Sequence, residues 1–381
     1  MSDKRKILLM ADWYAPGYRA GGPIRSCVNF VSHMQDGYQV FVLTGDRDLN
    51  SAVPYEGIPG DEWVTGPRGE KIYYSSPEGL NWKNMRRIIK DVAPDFIYLN
   101  SMFSLWFTIV PLLISRLDGW RTNVVLSPRG MLRSTAIQFK SSKKKIFLTG
   151  FRLLGFSKRV RFLATDETEV RDVRRYFGEH ARVVQIPNFP GGLPAGMNVC
   201  EKKKGELSLV FVGRLHPIKN PDFLLNVLKG VKADIRLTVI GSCEDKEFWQ
   251  QCEEIIRTLP GNIEVTYAGE VPNHQLPEVI ARHHVFTLPT RGENFGHAIY
   301  EAMALGKPVV ISDQTPWRQL TEKKAGWDLP LDDPDGFRRV IEQIAGFDQA
   351  EYADWCMGTR RYLKDYMSGS NIKDEYLKLF S

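Results

Sequence analysis

The sequence predicts an α/β protein with two nucleotide-fold-like domains in tandem, each built on a parallel sheet covered by helices. Short apolar runs alternate with helical patterns along the chain, which is typical of parallel sheets. The alternation stops at a polar break over residues 201–206 and then starts again. At 381 residues the chain is also too long for one ordinary domain.

The apolar runs that we interpret as strands fall into two sets. The first set is residues 7–10, 39–44, 72–74, 96–99, 124–127, 162–165 and 183–186, and the second is 209–212, 237–240, 263–267, 285–288 and 309–312. Just before the break the sequence has the composition of a linker, with Pro187, Pro190, Gly191, Gly192 and Pro194. We therefore expect one domain over 1–195 and a second over 196–361. A terminal helix over 362–381 is expected to pack back on the first domain.

Residues 96–115 carry no charge, and this stretch is long enough to cross a bilayer. It also contains Asn100, Ser101, Ser104 and Thr108. We therefore interpret it as a buried strand, a polar turn and a core helix rather than a membrane span.

The five cysteines show neither CxxC pairs nor regular spacing, which favours reduced thiols in a cytoplasmic protein. The N-terminus lacks the pattern of a signal peptide, because its short apolar run soon meets Asp12.

A basic segment over residues 140–161 has eight lysines or arginines, no acidic residue, and interleaved Ile, Leu and Phe. This pattern suits a surface that lies on anionic lipid, at the inner face of the plasma membrane. A solvated helix with its apolar side on the core fits equally well. No nucleic-acid-binding motif accompanies the charge, so we expect no nucleic-acid partner.

The strongest motif runs from Arg291 to Pro308 and places Glu293 and Glu301 eight residues apart. An apolar strand precedes it, and a helical pattern follows that Gly306 ends. A strand, tight turn and helix N-terminus present free backbone N–H groups and a positive dipole end to a phosphate. Because carboxylates accept hydrogen bonds from sugar hydroxyls, the segment favours a phosphorylated sugar or a nucleotide.

A second motif follows the first strand of the second set. Gly213 ends the strand, and Arg214 and Lys219 come after it at the carboxyl end. The arginine fork suits a diphosphate and the lysine adds a mobile point charge. Together they would neutralise a leaving diphosphate without a metal. Taken alone, this piece is better interpreted as a surface loop.

A third motif, Gly21-Gly22-Pro23, opens a helix with proline in the first turn. The glycines allow close approach of a ligand, although an ordinary loop fits as well. The chain has no P-loop pattern and no GxGxxG after a strand, which argues against NTPases and dinucleotide-binding enzymes.

Three short patterns are weak evidence for a metal. Asp46-Arg47-Asp48 follows a strand end, where contact of Asp46 with an acceptor is the alternative, and Asp333-Pro334-Asp335 is turn-like. The side chains of the adjacent His283 and His284 diverge. We expect no metal site and no cofactor besides a donor substrate.

With these motifs and the two-domain layout, the chain resembles the retaining glycosyltransferases of family 4. Their GT-B architecture has two Rossmann-like domains whose parallel sheets face a central cleft. The resemblance covers nearly the whole length. Its specific part is Glu293-x7-Glu301 with Gly213-Arg214 and Lys219. Weaker supports are Gly21-Gly22, Pro187-Asn188 and Gly269-Glu270-Val271.

The resemblance implies a role for each matching residue. Arg214 and Lys219 would hold the donor diphosphate, and Glu301 would accept hydrogen bonds from the ribose hydroxyls. Glu293 would hold the transferred sugar or stabilise charge at its anomeric carbon. The other donor contacts would be Gly22, Gly213, Val271, Asn294, Phe295, Gly296 and His297.

One departure from the family concerns the acceptor side. Many relatives carry a histidine after the fourth strand of the first domain, whereas residues 99–104 have none. Asn100 and Ser101 stand there instead, and Arg129 after the next strand offers a cation facing the cleft. These three residues and Asp46 are the expected acceptor-side residues.

We therefore expect a metal-independent, retaining glycosyltransferase. It would move a sugar from a nucleotide-diphosphate sugar to a glycan or lipid-linked acceptor, as in cell-surface polysaccharide synthesis. Front-face and double-displacement mechanisms both fit these residues. One alternative is a nucleotide-sugar epimerase or hydrolase of the same fold, and another is a non-catalytic nucleotide-sugar-binding partner.

Overall fold

The structure, a computed structural model, describes residues 4–119, 122–133, 137, 141–194, 196–197, 199–369 and 371–381. The chain divides into two compact units, Met1–Phe189 with Asn371–Ser381, and Pro190–Ser370. Phe189 belongs to the first unit because its ring stacks on that of Tyr376, with centroids 4.3 Å apart. The predicted boundaries at 195 and 361 therefore both lie inside the second unit.

The first unit is an eight-stranded sheet with helices on both faces. Its strands are β1 (Lys6–Met10), β2 (Gln39–Gly45), β3 (Trp63–Thr65), β4 (Lys71–Ser75), β5 (Phe96–Leu99), β6 (Asn123–Leu126), β7 (Val160–Ala164) and β8 (Val183–Gln185). They are ordered β3-β4-β2-β1-β5-β6-β7-β8, and every pair is parallel except β3 with β4.

The helices of the first unit follow the strands as crossover connections. They are α1 (Gly22–Met34), α2 (Trp82–Val92), a π-helix (Leu105–Ile109), α3 (Val110–Leu117), α4 (Ser141–Leu153), α5 (Phe156–Arg159) and α6 (Glu167–Phe177). Along β1, Ile7 and Leu9 belong to one buried cluster, and Leu8 and Met10 to another. Because successive side chains point to opposite faces, both sides of the sheet are buried, as a parallel sheet requires.

The second unit has a six-stranded sheet in which every pair is parallel. Its strands are β9 (Glu206–Val212), β10 (Asp234–Ile240), β11 (Ile263–Tyr267), β12 (Val285–Leu288), β13 (Val309–Ser312) and β14 (Gly326–Leu329). Its helices are α7 (Pro221–Leu228), α8 (Lys246–Arg257), α9 (Leu276–Ala281), α10 (His297–Ala304), α11 (Pro334–Ala345) and α12 (Gln349–Ser368). Helix α13 (Ile372–Leu379) follows α12 and belongs to the first unit.

The predicted fold class of two parallel-sheet α/β domains is confirmed, and each predicted strand overlaps an observed one. Strands β3 and β14 were not predicted. Strand β14 begins at Gly326, where a Cβ atom would lie 2.2 Å from the carbonyl oxygen of Val309. Because this close approach requires glycine at the start of the strand, the apolar pattern is short, and the sequence does not reveal β14.

The uncharged stretch 96–115 forms β5, a short loop, the π-helix and most of α3, which agrees with its interpretation as a strand, a turn and a helix. Within the part of the chain that the structure describes, no helix has the length and apolar composition needed to span a membrane.

Candidate functional site

The strand order of the second sheet reverses direction between β9 and β12. From β9 the sheet continues through β10 to β11, and from β12 it continues through β13 to β14. In open parallel sheets, ligands bind at the carboxyl ends of the strands at such a switch point. The loops that follow β9 and β12 contain the two strongest sequence motifs, so the fold brings these motifs to one place.

Hydrogen bonds from Thr290 and Arg291 tie the two loops together. The backbone N–H of Arg291 donates to the carbonyl of Ile218 (2.7 Å), and Thr290 Oγ1 donates to the same oxygen (3.1 Å). The Arg291 guanidinium also donates to Oδ1 of Asn220, at 3.0 and 3.2 Å. The loop after β9 is therefore held in register with the loop after β12.

Lys219 and Glu293 are direct partners in this arrangement. Lys219 Nζ donates to Glu293 Oε1, and the two side chains are only 19% and 12% exposed. The backbone N–H of Glu293 donates to the carbonyl of Gln314 (3.0 Å), which fixes the start of the turn. A mostly buried cation and carboxylate thus neutralise each other at the point where the motifs meet. Both residues were predicted from the sequence to contact a ligand, but their pairing was not predicted.

Arg214 has a different partner, in the loop after β10. Its Nη1 lies 3.5 Å from Oε2 of Glu244, and the arginine side chain is 46% exposed. The loops approach closely, because a Cβ atom on Gly241 would lie 1.9 Å from the carbonyl oxygen of Gly213. Glycine at 241 therefore brings Glu244 within reach of Arg214. Sequence reasoning missed Glu244, although its place after a predicted strand was a usable signal.

The environment of the neighbouring His216 favours the neutral imidazole. Burial lowers its pKa, and the charge of Arg214 lowers it further. Its Nδ1 accepts a hydrogen bond from the backbone N–H of Ile218 (3.2 Å), which requires an unprotonated nitrogen. This bond shapes the loop between Arg214 and Lys219.

The N-terminus of helix α10 lies in the loop after β12. Gly296 is its N-cap, with φ of 74° and no side-chain hydrogen bond to the cap. The ring of Phe295 is buried, and Trp317 Nε1 donates to its carbonyl oxygen (2.7 Å). Only the backbone of Phe295 is therefore suited to a ligand, whereas the partly buried His297 opens the helix.

The remaining predicted donor residues extend along the same edge of the sheet. Glu301 lies one turn after His297 and is partly buried, as are Asn294 and Gly213. Val271 follows β11, where the carbonyl of Gly269 accepts a hydrogen bond from Gly241 N (2.9 Å). Gly22 alone lies in the first unit, as the first residue of α1.

Arg129 lies in the first unit with left-handed backbone, φ 55°. Its guanidinium donates to Tyr98 Oη and Asn100 Oδ1, both at 2.5 Å, and to Asn188 Oδ1. Asn100 is itself buried and donates to Cys27 Sγ (2.5 Å). The charge of Arg129 is thus engaged with groups inside the first unit, and its role on the acceptor side stays a prediction.

The other two acceptor-side residues are also engaged locally. Ser101 is buried, and its carbonyl accepts a hydrogen bond from Thr108 Oγ1 (2.7 Å). Asp46 pairs with the adjacent Arg47 at 2.8 Å. Asp48 accepts hydrogen bonds from backbone N–H groups of the loop before α1. The first Asp-x-Asp pattern therefore stabilises loops.

The other patterns weighed for metal binding have local partners too. Asp333 caps α11 by accepting from Gly336 N (2.9 Å). His284 Nδ1 accepts from the backbone N–H of Ser208 (2.9 Å), and burial lowers the pKa of both His283 and His284. Among the described residues, no cluster of three or more His, Cys, Asp or Glu side chains is placed to hold a metal ion.

One polar residue that sequence reasoning left without a role is Asp12, directly after β1. Ser104 Oγ donates to its Oδ1 (2.7 Å), at the carboxyl end of the adjacent β5. Burial raises the pKa of Asp12, although hydrogen bonds from Ser104 and Ser101 oppose the rise. Asp12 is therefore the carboxylate at the centre of the first sheet's carboxyl edge.

Comparison with known proteins gives matches in both units. A family model described as Glycosyltransferase Family 4 matches residues 20–189, and one described as Glycosyl transferases group 1 matches residues 206–346. A phosphatidyl-myo-inositol mannosyltransferase of Mycolicibacterium smegmatis is 28% identical over 186 residues. That match covers 44% of this chain and 47% of the relative, so the chain spans about half the length of this curated relative.

Solved structures match over almost the whole chain. Sucrose-phosphate synthase from Thermosynechococcus elongatus has a TM-score of 0.69 at 15% identity, covering 99% of this chain and 98% of that one. Anabaena HepE in complex with UDP and glucose has a TM-score of 0.63 at 14% identity, covering 96% and 100%. These likenesses establish the fold, and the family models establish the family. The chain belongs to glycosyltransferase family 4 and has the GT-B fold.

Proposed function

We propose that this protein is a retaining, metal-independent glycosyltransferase that uses a nucleotide-diphosphate sugar. The observation that carries the proposal is the meeting of Lys219, Glu293 and the N-terminus of α10 at the switch point of the second sheet. A lysine and a helix N-terminus suit a diphosphate, and a carboxylate beside them suits a sugar.

In the proposed reaction the bond between the anomeric carbon and the diphosphate oxygen breaks, and its electron pair stays with the diphosphate. Lys219, Arg214 and the backbone N–H groups at the start of α10 stabilise that charge. In a front-face reaction the acceptor oxygen bonds to the anomeric carbon from the same side, and its proton passes to the departing diphosphate. In a double displacement a carboxylate attacks first and the acceptor then displaces it. Both routes need the same stabilisation of the leaving group.

The choice of substrates has support from the similar proteins. The HepE structure contains UDP and glucose, which supports a nucleotide-sugar donor. The mycobacterial relative is named for transfer to phosphatidyl-myo-inositol, which supports a lipid-linked acceptor. We propose a glycan or lipid-linked acceptor in cell-surface polysaccharide synthesis, with the enzyme in the cytoplasm at the inner face of the plasma membrane.

A panel of nucleotide sugars, each with and without candidate acceptors, tests the proposal. Release of nucleoside diphosphate that depends on an acceptor, with a product of the same anomeric configuration, is the expected result. A changed sugar on an intact nucleotide would indicate an epimerase. Free sugar without an acceptor would indicate a hydrolase, and binding without turnover would indicate a non-catalytic partner.

Transfer is expected to survive EDTA, because the diphosphate charge is met by Arg214, Lys219 and a helix terminus. The measurement is the rate of nucleoside diphosphate release with EDTA and with added Mg²⁺ or Mn²⁺. A rate that disappears in EDTA and returns with one of these ions would contradict the metal-independent site.

Replacing Glu244 by glutamine is expected to tighten binding of a free nucleoside diphosphate by up to about fivefold. Glu244 competes with a nucleotide for Arg214, and a half-exposed pair of this kind is worth about 0.2–1 kcal/mol. Calorimetric titration of the variant measures the change, with Glu247→Gln on the first turn of α8 as the matched control. Weaker binding by Glu244→Gln would mean that Glu244 contacts the nucleotide directly.

A further inference from the structure

Exposed apolar side chains are concentrated in one region of the first unit. Of the nine large hydrophobic residues exposed in the described part of the chain, five lie between residues 105 and 154. They are Leu105, Leu117, Ile146, Leu153 and Leu154. Concentrated apolar exposure marks an interaction surface, whereas single exposed residues need no explanation.

Helix α4 carries the centre of this region. Its inward side buries Leu148 and Phe151 in the core of the first unit. Its outward side presents Ile146 and Leu153, which are 73% and 83% exposed. These two residues are seven apart, or about two helical turns, so they form one stripe on the outer face.

Basic side chains flank the stripe. Lys145 and Arg152 are exposed one position before Ile146 and Leu153, and Lys143 is exposed on the other side. In the described residues no carboxylate pairs with these three cations. From Gly119 to Thr165 the sequence contains eleven lysines and arginines and no aspartate or glutamate. The helix thus combines an apolar stripe with positive charge that has no local counter-charge.

Segment 103–117 lies beside this helix. The rings of Phe103 and Phe147 are 5.1 Å apart in a T-shaped arrangement, and Arg116 Nη1 donates to the carbonyl of Leu154 (2.5 Å). The two contacts join the middle and the C-terminal end of α4 to the segment that contains Leu105 and Leu117.

We propose that the outer face of α4, defined by Lys143, Lys145, Ile146, Arg152 and Leu153, docks on an anionic phospholipid bilayer. The helix lies in the plane of the interface, with its aliphatic stripe among the acyl chains and its cations at the headgroup phosphates. Docking deepens the proposed function, because it would bring the enzyme to a lipid-linked acceptor.

A bilayer fits this face better than nucleic acid does. The phosphate backbone of a nucleic acid attracts the cations but does not bury Ile146 and Leu153. A lipid surface binds the cations and also buries the apolar side chains. Lys144 does not belong to this face, because it is partly buried over the ring of Phe103, 5.4 Å from its centroid.

The test is co-sedimentation of the full chain with sucrose-loaded vesicles, without donor or acceptor. Equimolar phosphatidylglycerol and phosphatidylcholine vesicles are compared with pure phosphatidylcholine. The cation variant is Lys143→Ser with Lys145→Ser and Arg152→Ser. Its control removes three exposed cations from the second unit and is Lys229→Ser with Lys232→Ser and Arg257→Ser. A second variant is Ile146→Ser with Leu153→Ser, and its control is Val53→Ser with Met357→Ser.

The wild type should bind the anionic vesicles, with binding that falls as salt rises, and should not bind phosphatidylcholine alone. The cation variant should bind about a hundredfold more weakly, since each basic residue contributes about 1 kcal/mol and 1.4 kcal/mol is tenfold. The aliphatic variant should lose at least about tenfold, because a buried Ile or Leu is worth about 1.5–3 kcal/mol. Both controls should match the wild type.

Equal binding by the aliphatic variant and the wild type would overturn the proposal, because the face would then be a simple polyanion-binding surface. Equal losses in a variant and its control would overturn it too. An electrophoretic shift with duplex DNA as tight as vesicle binding would assign the face to nucleic acid. Since no sugar substrate is present, failure here is distinct from failure of the glycosyltransferase proposal, which turnover on a water-soluble acceptor tests.

Discussion

Replacing Lys219 by alanine is expected to slow sugar transfer by about 10²- to 10³-fold, or about 2.7–4 kcal/mol of transition-state stabilisation. The reason is that its ammonium lies at the switch point, where the charge of the leaving diphosphate must be met. The measurement is kcat/KM for nucleoside diphosphate release with a competent donor and acceptor. Lys229→Ala removes an exposed lysine from the same unit and should retain wild-type activity.

The variant leaves Glu293 without its lysine in a mostly buried position, so the melting temperature must be measured beside the rate. The double variant Lys219→Ala with Glu293→Ala removes both charges together, so recovered stability in it would show that the unpaired carboxylate causes any folding defect. Slow transfer by the single variant Lys219→Ala, measured below its melting temperature, is then a catalytic loss. Wild-type turnover by folded Lys219→Ala would remove the lysine from the site.

Replacing Glu293 by glutamine is expected to abolish most transfer while leaving binding of a free nucleoside diphosphate unchanged or tighter. The carboxylate serves the sugar, which the free nucleotide lacks, and its loss releases Lys219 from the ion pair. Glu301→Ala should behave in the opposite way. It should weaken nucleotide binding by about 1.5–3 kcal/mol, the value of a charged hydrogen bond to the ribose.

Calorimetry with the nucleoside diphosphate and a transfer assay on both variants decide between these roles. Glu278→Ala is a suitable control, since this exposed glutamate forms an ion pair with Arg282, one turn later at the end of α9. Loss of nucleotide affinity in Glu293→Gln with retention in Glu301→Ala would reverse the assignment of the two glutamates.

Much of the fold could be predicted because parallel strands buried on both faces are continuous apolar runs. Residues 209–212 and 285–288 show this, and each has a glycine or proline at its carboxyl end. Strand β14 was not predicted because Gly326 and Asp328 interrupt its apolar pattern. The sequence placed the boundary at 195 within a uniform Pro- and Gly-rich stretch, whereas the first compact unit ends at Phe189. The ring of Phe189 stacks on Tyr376, and its carbonyl accepts a hydrogen bond from Asn29, and such long-range contacts are not visible in a local pattern.

The sequence allowed a prediction of which loops form the site, but not of which charged side chains pair within it. The ends of strands and the start of a helix can be predicted from local sequence patterns. These features locate Lys219 and Glu293. Which charges meet depends on the order of strands in the sheet and on the backbone approach at Gly241. Neither the strand order nor this approach can be predicted from a short stretch of sequence. The Lys219–Glu293 and Arg214–Glu244 contacts were therefore missed. For the same reason the hydrogen bonds of Arg129 to Tyr98, Asn100 and Asn188 were not predicted.

The central claim is that the loops after β9 and β12 form the donor site. A crystal structure of the protein with a nucleoside diphosphate tests it most directly. We expect the outer phosphate within hydrogen-bonding distance of Lys219 Nζ and of backbone N–H groups at the start of α10, with Glu301 at the ribose and the contact between Lys219 and Glu293 broken. A nucleotide bound elsewhere, with that ion pair intact, would contradict the account.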